Sequence, residues 1–175
     1  MNKTIYRTLD TETVGGASTP SGTYNIGCTI HDRHGNIFAT TNLLVMEHYE
    51  EIRNDDYAKR NFPIYAQRLA SGEMSAVATE AEAVSIVSNL CHFYGVRYIC
   101  AYNSAFDLTK TACKVLAEEF EFIDLWLMAT QTICHQKSYA KFCRENGFKS
   151  RSGQTCATTA ESVYAFITGN PDFIE

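Results

Sequence analysis

Leu9-Asp10-Thr11-Glu12-Thr13 is the stretch on which the reading of this 175-residue chain turns. It follows Thr4-Ile5-Tyr6-Arg7-Thr8-Leu9, a run with β-strand character. It precedes a Gly/Ser/Pro loop, Val14-Gly15-Gly16-Ala17-Ser18-Thr19-Pro20. Side chains of a strand alternate between faces, so Asp10 and Glu12 point the same way where strand gives way to loop. Two carboxylates side by side repel, and one takes up a proton unless a positive charge compensates. A divalent cation such as Mg²⁺ or Mn²⁺ relieves that repulsion, because it prefers oxygen ligands. Taken alone, the triplet reads more simply as polar residues at a strand end. An Asp-Thr-Gly aspartic-protease motif is excluded, since Glu12 stands where that tight turn needs Gly.

Length and composition set the frame for this stretch. The chain is expected to form one domain, residues 1–175, with a substantial core. Hydrophobic residues make up 45% and charged residues 20% of it, an ordinary balance for a globular protein. No apolar run approaches a membrane span, and Met1-Asn2-Lys3-Thr4 lacks the apolar segment of a signal peptide. A cytoplasmic location with no membrane partner is the default. The seven cysteines include no C-x-x-C pair and read as small buried hydrophobes. The dipeptides Cys91-His92 and Cys134-His135 lack the spacers of a zinc site. The net charge of −5 argues against a protein that coats polyanions. It is compatible with an acidic site flanked by local basic patches.

Taken in order, Asn25–His31 and Asn36–Val45 read as a hairpin, with Asp32-Arg33-His34-Gly35 as its turn. With the first strand this makes a three-stranded antiparallel meander. A short helix is expected near His48–Lys59, then irregular chain around Pro63, then a further turn of helix near Ile64–Leu69. Ser75–Tyr94 reads as the clearest helix, with Thr79-x-x-Glu82 as a capping box and Gly95 as its stop. Val96–Tyr102 reads as a buried strand. At its end lies Asn103-Ser104-Ala105-Phe106-Asp107, where Ser104 and Asp107 could cap a helix running through Ala112, Cys113 and Leu116. The helix dipole favours a charged Asp107 there, at the same end of the sheet as Asp10 and Glu12; an ordinary capping acid is the simpler local reading. Phe120–Leu125 reads as another strand, with Asp124 as a helix cap before Trp126–Cys134. Lys137–Arg151 carries Lys137, Lys141, Arg144, Lys149 and Arg151 against Glu145 alone, the best candidate for a phosphate-binding patch. A last helix starts at Thr158-Thr159-Ala160-Glu161 and is broken at Gly169-Asn170-Pro171.

Two of these stretches together resemble a known family. Leu9-Asp10-Thr11-Glu12-Thr13 is similar to the first motif of the DnaQ-like, or DEDD, 3′–5′ exonucleases, and Asn103-Ser104-Ala105-Phe106-Asp107 to their second, Asn-x-x-Phe-Asp. The segment from Thr159-Ala160-Glu161-Ser162-Val163-Tyr164 to Phe173-Ile174-Glu175 resembles the helix before the third motif in phage and bacterial stand-alone members. The resemblance implies an α/β, ribonuclease H-like fold: a mixed central sheet, three antiparallel strands plus parallel ones, flanked by helices. It implies release of nucleotides from the 3′ end of single-stranded DNA or RNA by two-metal hydrolysis with Mg²⁺ or Mn²⁺. Asp10 would bridge both ions, Glu12 would hold one, and Asp107 would support the other. Thr11, Thr13, Asn103 and Phe106 would contact the terminal nucleotide, and Lys141, Arg144, Lys149 and Arg151 the phosphate backbone.

The family's third motif, His-x-x-x-x-Asp in the DEDDh branch or Tyr-x-x-x-Asp in the other, does not follow the last predicted helix. The DEDDh His would come at, or soon after, the position following Glu175. The domain is therefore expected to be C-terminally incomplete and of little activity as it stands. The alternative is an exonuclease-like module that has lost catalysis and binds nucleic acid or a protein partner. An unrelated α/β enzyme with structural carboxylates is the third reading.

Overall fold

Ile5–Val14 forms β1, the strand that organises the sheet. The computed structural model describes residues 4–15, 22–56 and 58–173; most of the expected loop after Val14, and Ile174-Glu175, lie outside the described residues. β1 pairs antiparallel with β2 (Gly22–Asp32), which pairs antiparallel with β3 (Ile37–Val45). The meander is thus present. Its turn follows the expected chemistry: Asp32 accepts from the backbone N–H of His34 and Asn36 at 2.9 and 3.0 Å, and Gly35 takes φ 81°. β3 pairs parallel with β4 (Ser75–Val77), and β1 pairs parallel with β5 (Tyr98–Ala101). With β6 (Glu121–Asp124) the order is β4-β3-β2-β1-β5-β6. An antiparallel meander whose first strand continues into parallel strands is the ribonuclease H-like arrangement, here with one extra edge strand.

Packing follows the pleat. Leu9, Ile26, Cys28, Ile30, Leu43 and Val45 join Val84, Val87 and Cys91 of α3 (Glu80–Tyr94) in one core. Val14, Tyr24 and Leu44 join Ile52 of α1 (Tyr49–Asn54) and Ala58 and Tyr65 of α2 (Ala58–Ser71) in a second. Alternation along β3 sends Leu43 and Val45 to one core and Leu44 to the other.

Several expectations are corrected. β1 runs on to Val14 rather than stopping at Leu9, because β2 pairs with it as far as Val14↔Gly22. Residues 75–77 are strand, not helix. Thr79 still caps α3 by accepting from Glu82 N–H at 3.1 Å, and Gly95 still stops it at φ 65°. Pro63 lies inside α2 rather than in irregular chain. Asp55 accepts from Ala58 N–H at 2.9 Å where that helix begins, and Pro63, in its second turn, removes one i→i−4 bond.

By internal contacts the chain divides into two compact units, Met1–Ile123 and Asp124–Glu175. The second holds α5 (Leu125–Ala129), continued by a π-helical turn to Cys134, then α6 (Lys137–Asn146) and α7 (Ala160–Thr168). Asp124 caps α5 as expected, accepting from Leu127 N–H at 3.0 Å. Among the described residues, no helix is long and apolar enough to cross a membrane.

Candidate metal centre

The predicted carboxylates sit where two central strands part company. β5 pairs with β1 only as far as Leu9↔Ala101, so Asp10 is the first residue of β1 beyond its parallel neighbour. Asp10 is exposed and Glu12 half-buried. Across the β1–β2 ladder they face Gly27 and Asn25, and a bulge follows between Glu12 and Thr13. Bulges re-aim side chains and are common beside active sites. This one leaves both Thr13 and Val14 buried, where simple alternation would expose one of them.

After Ala101 the chain must turn sharply into α4 (Ser104–Lys110). Asn103 makes the turn at φ 68°, and Phe106 N–H donates to its carbonyl at 2.9 Å. Asn tolerates this left-handed region better than other residues with a Cβ. Ser104 is the first residue of the helix, and Asn103 holds the cap position. Asp107 is 5% exposed, and its Oδ1 accepts from Thr11 Oγ1 at 2.7 Å. One turn on, Thr111 Oγ1 donates to the Asp107 carbonyl at 2.9 Å and accepts from Cys113 N–H at 3.1 Å. That ends α4, and a 3₁₀ helix, Ala112–Glu118, replaces the expected continuation. Ala112 N–H donates to Thr23 Oγ1 of β2 at 2.9 Å. Asp107 is therefore held to β1 by its side chain and by Thr111 through its main chain. Phe106 is half-buried and Asn103 exposed.

Sequence reasoning missed a second group. Among the described residues, the set of three whose ligating atoms lie within 4.8 Å of one another is Glu47, His48 and Glu80; Asp10, Glu12 and Asp107 do not form such a set. His48 Nε2 lies 3.3 Å from Glu47 Oε1 and 3.1 Å from Glu80 Oε1, and its Nδ1 2.7 Å from Glu51 Oε2. Glu80 also accepts from Thr23 N–H. Topology explains the meeting. β3 and β4 are parallel, with Leu43↔Ser75 and Val45↔Val77 in register, and the same offset carries His48 to Glu80. The His48 ring seats against Gly22, where a Cβ would lie 2.1 Å from it. One imidazole nitrogen and two carboxylates could hold a divalent ion, with Zn²⁺ or Mn²⁺ better matched than Mg²⁺. Since Thr23 pairs with Thr13, this group and the Asp10–Glu12 pair lie at the same end of the β1–β2 ladder.

Beneath β1 lies an unanticipated buried charge. Arg7 is fully buried, its Nη1 donates to Cys91 Sγ at 3.4 Å, and its Nε and Nη2 have no partner among the described residues. Burial pushes the Cys113 thiol up to about 12, with Asp107 adding to the rise and Arg7 opposing it. Burial raises Cys91 likewise.

The basic residues lie in the second unit. Lys141 and Arg144 are on α6, with Lys141 3.7 Å from Glu145. Lys149 forms a bridge with Cys156, and Arg151 is exposed between them.

No protein-family model matches the sequence, and no curated protein matches it. Among solved structures, the chain is similar to E. coli Exonuclease I in complex with a dA16 oligonucleotide, at 13% identity and a TM-score of 0.44. The match covers 97% of this chain and 40% of that one. The chain thus spans well under half the length of that protein. Similarity at this level carries no weight for activity, and the fold rests on strand order and pairing.

Proposed function

We propose that this protein is a metal-dependent 3′–5′ exonuclease that releases nucleotides from single-stranded DNA or RNA ends, with Asp10, Glu12 and Asp107 as ligands of Mg²⁺ or Mn²⁺. The observation that carries this reading is the Thr11–Asp107 hydrogen bond at 2.7 Å. It ties the carboxylate of α4 to the β1 residue lying between the other two. The donor set fits: all three side chains offer carboxylate oxygen, the ligand type hard divalent ions take. A bound ion there would supply positive charge against the scissile phosphate and activate water.

The chain's own residues do the rest. Thr11 fixes the rotamer of Asp107, and the left-handed turn at Asn103 sets where α4 begins. The exposed Asn103 side chain and the half-buried Phe106 ring offer a hydrogen-bonding group and a stacking face to a terminal nucleotide. In the second unit, Lys141, Arg144, Lys149 and Arg151 attract phosphates by charge.

A binding module without cleavage is the second reading. It is favoured by the carboxylate oxygens of Asp10, Glu12 and Asp107 not being gathered within 4.8 Å among the described residues. Release of mononucleotides from a 5′-labelled single strand separates the two. Under the nuclease reading, any shortening, expected to be slow, proceeds from the 3′ end, requires Mn²⁺ or Mg²⁺, and falls to background in Asp10→Ala and Asp107→Asn. Shortening that persists in EDTA or in Asp10→Ala overturns it. Strand binding without any release, unchanged in both variants, establishes the binding module instead.

A further inference from the structure

The second unit contains a cavity of its own, beside the end of α6. α6 ends at Gly147, φ 77°, and the chain returns in a tight hairpin. Ser150 N–H donates to Thr155 O at 2.8 Å, Gly153 N–H donates to Ser150 O at 2.8 Å, and Gly153 takes φ 73°. Ser150 Oγ accepts from Thr155 N–H at 3.3 Å. The hairpin is therefore fixed by its own backbone and serine contacts rather than by its charged side chains.

Between this hairpin and α6 lies an open cavity of about 240 Å³, whose wall includes Arg144, Lys149, Gln154 and Thr155 together with Phe148 and Cys143. Among the described residues, no carboxylate lines it. Its neighbour Glu145 is engaged 3.7 Å away by Lys141, a residue outside the cavity. Among the described residues, neither Arg144 nor Lys149 is in an ion pair. Two cations without an ion pair among the described residues, an amide and a hydroxyl at the wall of one small space suit a compact polyanion. The guanidinium fork matches phosphate oxygens in pairs, and lysine adds a point charge. The volume is below that of drug-sized pockets, which suits one phosphate with its sugar rather than a folded partner.

We infer that this cavity is a phosphate monoester site, taking the terminal phosphate of a nucleotide or of a nucleic-acid strand. It rests on the reading of Arg144 and Lys149 as phosphate-attracting residues and needs no metal, since every described lining residue belongs to the second unit.

The test uses the whole chain in EDTA, so that failure of the metal centre leaves it untouched. Binding of thymidine 5′-monophosphate, thymidine, and a short oligothymidylate with and without a 5′-phosphate is measured by calorimetry. Alkylation of Cys156, half-buried in the cavity wall, is followed in parallel by mass spectrometry. The monophosphate should bind and protect Cys156, and thymidine should do neither. Arg144→Gln and Lys149→Gln should each weaken binding about tenfold or more, as expected for loss of a charge-assisted bond. Lys137→Gln, exposed on the same helix outside the cavity, should stay near the unmodified protein. Preference for the 5′-phosphorylated oligonucleotide over its hydroxyl form assigns the site to strand ends. Binding of the monophosphate without that preference assigns it to free nucleotide. Equal binding of thymidine, no binding of either phosphate ligand, or an equal loss in Lys137→Gln overturns the proposal.

Discussion

Replacing Thr11 by Val removes one hydroxyl and little else, and the metal-centre assignment depends on what that hydroxyl does. Its Oγ1 donates to Asp107 Oδ1 at 2.7 Å, and Asp107 is 5% exposed. Hydrogen bonds to charged groups contribute about 1.5–3 kcal/mol, and a buried acceptor left short of a donor loses most of that. Thr11→Val should therefore destabilise the protein by about 1.5–3 kcal/mol, lowering Tm by roughly 3–10 °C for a chain of this size. Thr11→Ser keeps the donor and should stay within about 1 kcal/mol of the parent, the value of one methyl group. Urea denaturation followed by far-UV circular dichroism reads the effect. Tryptophan fluorescence would not, because the single tryptophan, Trp126, belongs to the second unit. In Asp107→Ala the Thr11→Val effect should largely vanish, which isolates the pair. A Thr11→Val protein as stable as its parent, or one matched by Thr11→Ser, refutes the claim that Thr11 positions Asp107.

Two predictions concern the buried groups beneath β1. The Cys113 thiol ordinarily ionises at 9.0 and is pushed up to about 12 in the fold. Above pH 9 the unfolded chain sheds a proton that the folded chain keeps, so stability falls as pH rises through that window, by about 1.4 kcal/mol per pH unit for this group. Cys113→Ala should remove that share of the alkaline slope in urea titrations whatever its effect at neutral pH; an unchanged slope contradicts the burial of the thiol. Arg7 is fully buried with two nitrogens, Nε and Nη2, unpartnered among the described residues, each leaving about 1–3 kcal/mol of desolvation unrecovered. Arg7→Met fills similar space without that penalty and should stabilise the protein by about 1–3 kcal/mol. Destabilisation of that size in the same melts would mean the guanidinium is paired in solution.

The parts of the fold legible in the sequence are those set by local chemistry. Asp32 and Gly35 make the hairpin turn, Thr79 with Glu82 starts α3, and Gly95 stops it; each signal acts within a few residues. β4 was hidden because three residues become strand only by pairing with β3, some thirty positions away. Missing β4 also hid the meeting of His48 with Glu80, which follows from the β3–β4 register. The bulge after Glu12 has no sequence signal at all. At the candidate centre, the residue types of Asp10, Glu12 and Asp107 were legible, and so was the turn into α4. The bond from Thr11 was not, since nothing local tells a nucleotide-contacting threonine from one that orients a carboxylate.

Two groups in the first unit could hold a divalent ion, and where the ion goes decides between them. Mn²⁺ titrated into isotopically labelled protein broadens the backbone resonances nearest to it. Broadening centred on Asp10, Thr11 and Asp107, lost in Asp10→Ala and retained in His48→Ala, is the expected result. Broadening confined to Glu47, His48 and Glu80, or unaffected by Asp10→Ala, contradicts the assignment of Asp10, Glu12 and Asp107 as the metal centre.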